Sequence, residues 1–258
     1  MRGSRRRALG QHFLTDPEIL DRMVEYAELS RSDVVLEVGA GGGELTKRLA
    51  EKAGRVIAVE VDERFADDLR SISEVYPNVE VLLGDILRLK PGGINKVVSN
   101  PPYRISSKLI EWLVEQLPEL MVLTLQKEFA SKLTAPPGSP KYVYISAISS
   151  LFYEIRRMEI VPRTLFKPPP KVDSAIVVMR RRSGVPALGS SCKLLWKRLF
   201  TRRRQVLRRV LMDLSKDGAL PTSLVRELPE QLASKRIFQL SPDELLRICE
   251  LLGFQEEA

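Results

Sequence analysis

Cysteine occurs twice in 258 residues and histidine once. Cys192 and Cys249 are too far apart for a metal knuckle or a Cys-x-x-Cys redox pair. That argues against a zinc fold and a disulfide scaffold, and leads to an expected reducing, cytoplasmic compartment. No set of His, Cys and acidic residues is spaced as metal ligands, so no metal is expected. No apolar run approaches the ~20 residues of a membrane helix. Arg2, Arg5, Arg6 and Arg7 form a basic start without the apolar stretch of a secretory signal. Neither membrane attachment nor secretion is expected. Aromatic residues make up only 6% of the chain. A broad base-stacking platform for long single strands is therefore not expected.

What is present is ordinary in amount and uneven in placement. A hydrophobic fraction of 44% with 29% charged residues fits a folded globular chain and excludes wholesale disorder. Lys and Arg number 41 against 33 Asp and Glu, a net charge of 41 − 33 = +8. Four arginines and no acid lie in residues 1–8, and seven basic residues and no acid lie in residues 196–210. Beyond Val210 the sign reverses, with nine acids against five basic residues. Two acid-free basic clusters in one chain point to a nucleic-acid footprint, with Arg5, Arg6, Arg7, Arg198, Arg202, Arg203, Arg204 and Arg208 as candidate contacts. Neutralising roughly five phosphates would give a slope of log K against log salt near −4.5.

Short apolar runs alternate with helical patterns over the first two thirds of the chain. Strands are expected at 34–38, 56–59, 79–83, 97–99, 121–125, 152–161 and 172–179. Helices are expected after Thr15-Asp16-Pro17-Glu18, read as a capping box, and at 45–53, 63–72 and 109–114. This order predicts an α/β domain with a mostly parallel seven-stranded, Rossmann-like sheet. Ser183-Gly184-Val185-Pro186 through Ser191 reads as a linker. From Cys192 the pattern is helical, with Leu195, Leu199, Val206, Val210 and Leu214 on one face, and Ser241 caps a last helix. The expected domains are 1–182 and 183–258, the second a small helical RNA-binding domain.

Two constellations carry chemistry. Glu37-Val38-Gly39-Ala40-Gly41-Gly42-Gly43 is a glycine-rich turn between a strand and a helix, where Gly39 and Gly41 let the backbone approach a ligand. Glu60 ends the next strand, placed to accept from ribose hydroxyls, and Asp85 ends the third, placed to accept from an adenine amine. A dinucleotide remains open here, but Glu44 stands where a pyrophosphate binder has its third glycine. That favours a cofactor without a pyrophosphate, such as S-adenosylmethionine. The second constellation is Asn100-Pro101-Pro102-Tyr103 at the end of the fourth strand. An amide and a carbonyl held by prolines offer two acceptors to one amine, beside an aromatic face for an unstacked base.

Asn-Pro-Pro-Tyr after a fourth strand resembles the turn of amine-directed adenine methyltransferases. Leu9-Gly10-Gln11-His12-Phe13-Leu14, Leu125-Gln126-Lys127-Glu128 and Phe166-Lys167-Pro168-Pro169-Pro170-Lys171-Val172-Asp173-Ser174-Ala175 narrow the likeness. Together they resemble the small-subunit ribosomal RNA adenine dimethyltransferases, the KsgA family. The resemblance runs from Leu9 through the basic stretch near Arg209, and more loosely to the end. It implies S-adenosylmethionine as methyl donor and two adjacent adenosines near the 3′ end of small-subunit rRNA as target. It implies a monomer acting on the small ribosomal subunit. By this resemblance His12 and Leu14 close over the cofactor, Gly39 meets its methionine end, and Glu60 and Asp85 hold ribose and adenine. Asn100 borders the reacting methyl, the Pro101 carbonyl accepts from the target amine, and Tyr103 and Phe166 hold the base. His12 stands where the family often has Asn, and Pro101 where it mostly has Leu. Large-subunit rRNA methyltransferases of the macrolide-resistance type, DNA adenine methyltransferases and a non-catalytic assembly factor are the alternative readings.

Overall fold

The computed structural model describes residues 11–184, 187–218 and 220–254. Strands β1 (Phe13–Leu14), β2 (Val34–Val38), β3 (Arg55–Glu60), β4 (Val79–Leu83), β5 (Lys96–Ser99), β6 (Leu120–Gln126), β7 (Tyr153–Val161), β8 (Phe166–Lys167) and β9 (Ser174–Arg181) make two sheets. The large one has seven strands in the order β4-β3-β2-β5-β6-β9-β7. The first five are parallel; β9 runs antiparallel to β6 and β7 antiparallel to β9. β1 and β8 form a separate two-stranded ladder pairing Phe13 with Lys167 and Leu14 with Phe166.

Apolar content places the strands. Val35, Leu36, Val97, Val98, Met121, Val122 and Leu123 are fully buried, as strands covered on both faces require. Helices α1 (Pro17–Tyr26), α2 (Glu44–Lys52), α3 (Ala66–Val75), α4 (Ile86–Leu89) and α5 (Ser106–Gln116) connect or cover them. Ile19, Leu20 and Met23 of α1 and Leu45 and Leu49 of α2 face the same core. The start of α1 differs from the capping box the sequence suggests. Asp16, not Thr15, is the N-cap, accepting from the Ile19 amide at 3.0 Å with Pro17 in the first turn. The Thr15 hydroxyl is committed elsewhere, donating to the Leu165 carbonyl at 3.2 Å.

The chain groups into two compact units, 1–130 with 153–181, and 131–152 with 182–258. Residues 131–152 group with the helical unit. The reason is α7 (Tyr144–Phe152), which follows α6 (Lys127–Leu133) and is buried along nearly its whole length against other helices. The helical unit also holds α8 (Ser190–Thr201), α9 (Leu207–Lys216), α10 (Thr222–Arg226), α11 (Glu230–Ala233) and α12 (Pro242–Leu251). Ser241 caps α12 and Glu244 completes the capping box.

Two further expectations fail in this unit. The helical pattern from Cys192 is broken at 202–206, where Val206 bridges Arg236 and is half-exposed rather than on a helix face. Cys192 and Cys249 form a disulfide between α8 and α12, with Cα atoms 5.7 Å apart and a sequence separation of 57. Their separation in the chain excluded a local motif but not a bridge between helices that pack together. The cysteine count therefore gives no ground for a reducing compartment.

Candidate active site

β2 and β5 are neighbours, yet the chain leaves β2 towards β3 and β5 towards β6, on opposite sides. The crevice at their carboxyl ends is the switch point where open α/β sheets bind ligands. Both sequence constellations fall there. The Ser99 hydroxyl is fully buried and joins the two strand ends, donating to the Val38 carbonyl at 2.7 Å. Gly39 has φ +79°, and a Cβ there would lie 3.0 Å from Pro102 Cδ, so the two turns touch. Gly41 has φ +54°, and a Cβ there would lie 2.7 Å from the Phe13 ring. Only glycine permits both the left-handed backbone and these approaches.

Glu60 is 2% exposed and ties the glycine turn to the next strand. Its Oε2 accepts from the Gly41 amide at 2.8 Å, and its Oε1 from the Asp62 amide at 2.8 Å and Gln11 Nε2 at 3.5 Å. Burial pushes its carboxyl upward, and the amide donors of Asp62 and Gly41 oppose that shift. Each carboxylate oxygen has two acceptor directions, so capacity remains for a ligand hydroxyl. Asp85 caps α4 through Oδ1, accepting from the Leu87 amide at 3.0 Å. The cap role and a ligand role are compatible, because Oδ2 is on an exposed side chain. Asp85 lines a cleft with Gly39, Val61, Ile86, Pro102 and Ile105.

Asn100 Nδ2 donates to the His12 carbonyl at 3.0 Å. Its Oδ1 is buried and has no hydrogen-bond partner among the described residues. An orphaned buried acceptor is costly, ~1–3 kcal/mol, unless a ligand completes it. Pro101 is buried beside it. The Tyr103 hydroxyl meets the Ser174 hydroxyl at 2.5 Å, and burial pushes the phenol up to about 12, keeping it neutral. The His12 ring stacks on Tyr103, centroids 5.6 Å apart, and His12 Nδ1 lies 2.8 Å from the Pro168 carbonyl. Phe166 meets Tyr103 edge-on at 6.5 Å, but it is 1% exposed and belongs to the core. In this arrangement Phe166 buttresses Tyr103 and offers no free face to a base. Leu14 is likewise buried, so only its backbone can border a ligand.

The structure adds residues that spacing did not single out. Gln11 is buried against Glu60 and its Oε1 has no partner among the described residues. Phe13 covers Gly41 and meets Phe65 edge-on at 5.3 Å. Glu37 is 2% exposed, accepts from the Thr46 hydroxyl at 2.6 Å, and is pushed by burial up to about 8. Gln11, Phe13 and Ser174 lie inside the quoted motifs, and Glu37 is an acid in an otherwise apolar strand. Those were the available signals. Among the described residues no group of three His, Cys, Asp or Glu could hold a metal, and no helix is long and apolar enough to cross a membrane.

The candidate RNA-contact arginines separate into classes. Arg5, Arg6 and Arg7 lie outside the described residues. Arg202 pairs with Asp213 at 2.9 Å and Arg208 with Glu230 at 2.6 Å. Arg203 donates to the Pro140 and Tyr142 carbonyls at 2.9 and 3.1 Å. Arg198 and Arg204 are exposed.

A glycine turn, a buried acid at the end of the next strand and an Asn-Pro-Pro-Tyr turn meet at one switch point of a Rossmann-like sheet, the arrangement of an amine-directed methyltransferase. Within that class, the chain belongs to the ribosomal RNA adenine dimethylase family, which it matches over residues 2–252. It is 38% identical over 265 residues to a probable ribosomal RNA small subunit methyltransferase A of Methanopyrus kandleri, covering 98% of this chain and 93% of that one. A dimethyladenosine transferase from Plasmodium falciparum superposes with a TM-score of 0.82 at 28% identity, covering 94% of this chain and 98% of that one. The 23S rRNA methyltransferase ErmE superposes with a TM-score of 0.67 at 29% identity, covering 93% and 99%.

Proposed function

We propose that this enzyme dimethylates the exocyclic amines of two adjacent adenosines near the 3′ end of small-subunit rRNA, using S-adenosylmethionine, and acts as a monomer on the small ribosomal subunit during its biogenesis. The observation that carries the reading is Asn100: its Nδ2 is fixed by the His12 carbonyl while its buried Oδ1 lacks a partner among the described residues. That leaves one preset acceptor beside the Pro101 carbonyl, the pair an exocyclic amine requires.

The residues fit the cofactor. Glu60 suits ribose hydroxyls, Asp85 and the cleft walls suit adenine, and the close backbone at Gly39 and Gly41 suits the methionine end. When bound, S-adenosylmethionine supplies an electrophilic methyl group on sulfur. The adenine amine is a weak nucleophile because its lone pair is delocalised into the ring. Asn100 Oδ1 and the Pro101 carbonyl accept its two N–H bonds and draw the nitrogen towards tetrahedral geometry, localising the pair. Tyr103, held by Ser174, His12 and Phe166, supplies the aromatic wall. For each methyl, a carbon–sulfur bond breaks, a carbon–nitrogen bond forms and the nitrogen loses one proton to solvent. Positioning of this kind can contribute ~7–11 kcal/mol.

The deciding experiment is transfer of labelled methyl from S-adenosylmethionine to unmethylated small subunits, with nucleoside analysis of the rRNA. Dimethyladenosine at two neighbouring positions near the 3′ end is expected. Label in large-subunit RNA instead would establish the resistance-type enzyme. Tight subunit binding with no label would establish an assembly factor.

A further inference from the structure

The helical unit carries a cleft that methyl transfer does not use. Three segments distant in sequence meet there: 138–140, 203–205 and 236–238. The Phe238 amide donates to the Arg203 carbonyl at 2.9 Å, the Gly138 amide to the Phe238 carbonyl at 2.7 Å, and the Ile237 amide to the Gln205 carbonyl at 3.1 Å. Arg203 Nη1 donates to the Pro140 carbonyl and Arg236 Nη1 to the Arg204 carbonyl, at 2.9 and 2.6 Å. These bonds fix the walls of a 280 Å³ cleft lined by Pro140, Arg203, Arg204, Arg236 and Phe238. Phe238 is half-buried, Pro140, Arg204 and Arg236 are exposed, and among the described residues no acid pairs with the three arginines.

An aromatic surface ringed by guanidinium groups suits a ligand that is planar and anionic at once. A free phosphate would leave Phe238 unused, and a duplex hides its base faces. We propose that this cleft holds one unstacked RNA nucleotide, its base on Phe238 and Pro140 and its flanking phosphates on Arg204 and Arg236. The inference rests on the rRNA reading and places one anchor for a single-stranded segment in the helical unit. A single slot is also what so few aromatic residues allow.

The test uses the full chain and two probes, a fluorescein-labelled unstructured ten-nucleotide RNA and a ten-base-pair RNA duplex. Phe238→Ala is expected to weaken single-strand binding roughly tenfold. The salt slope should not change, because stacking releases no counterions. Phe238→Leu, which keeps apolar volume and guards against misfolding, should also bind more weakly than the parent. The double variant Arg204→Gln/Arg236→Gln should flatten the slope by about 1.4, or about 0.7 per phosphate on a single strand. Duplex affinity should not respond to Phe238→Ala. Single-strand affinity within twofold of the parent in both Phe238 variants would overturn the slot, as would equal losses on strand and duplex. Methyl transfer to small subunits by the parent protein is scored separately. Its absence would defeat the functional reading, while the oligonucleotide binding would still decide the slot.

Discussion

Asn100 uses its two amide atoms for different ends, and substitutions separate them. Asn100→Ala removes both the tie to His12 and the acceptor, and should bind cofactor yet lose roughly a hundredfold in turnover, by analogy with the loss of one preset polar group in other active sites. Single-turnover methyl transfer beside calorimetric cofactor titration measures the two effects; unchanged turnover would remove Asn100 from the mechanism. Glu37 makes a different prediction, about stability. Its ordinary value of 4.5 rises to about 8 through burial, opposed only in part by the Thr46 hydroxyl. Between those two values the folded chain holds a proton that the unfolded chain has released, so this residue's contribution is complete below about 4.5 and is lost as pH rises towards about 8. The slope is at most about 1.4 kcal/mol per pH unit. Glu37→Gln keeps an acceptor for Thr46 and cannot ionise. Its stability relative to the parent should rise between pH 5 and pH 8 in urea denaturation, and an equal difference at both pH values would refute the assignment.

Between elements, the disulfide from α8 to α12 is the feature with the largest expected effect. Both cysteines are nearly fully buried, at 2% and 1% exposed. Closing a loop of this length lowers the entropy of the unfolded chain by an amount worth about 4 kcal/mol in the chain-entropy model. Reduction, or replacement of both cysteines by serine, should lower the unfolding midpoint of the helical unit by a corresponding margin, read by urea titration with and without reductant; coincident curves would count against the bridge. This element was illegible in the sequence for the same reason that α7 was not anticipated. Both depend on which helices pack together, and periodicity reports a buried face without naming its partner. Strands such as Val34–Val38 and Val79–Leu83 were legible because each is a short apolar run ended by glycine, and the parallel order follows from alternation with helices. The site was legible where it sits at strand ends, as with Gly39, Glu60, Asp85 and Asn100. Gln11 and Phe13 were not, because contacts distant in sequence bring them there, the ladder of β1 with β8 and the Asn100–His12 hydrogen bond.

At the scale of the whole molecule, the net charge of +8 overstates what is available to an anionic partner. Within residues 196–210, Arg202 and Arg208 are neutralised by Asp213 and Glu230, and the Arg203 guanidinium is turned towards carbonyls. Exposed pairs of this kind contribute little to stability, but they do spend charge that would otherwise meet phosphate. Arg198, Arg204 and Arg209 are exposed and make no ion pair among the described residues. The salt dependence of subunit binding should therefore be distributed unequally over a run that looks uniform in sequence. Arg198→Gln and Arg209→Gln should each remove about 0.9 from the slope of log K against log salt. Arg202→Gln and Arg208→Gln should leave that slope unchanged while lowering affinity slightly at every salt concentration, because each exposes an acid. Filter binding of unmethylated small subunits across a salt series distinguishes the two outcomes. Equal slopes for all four variants would mean that the ion pairs open on binding and that the full positive run faces the RNA.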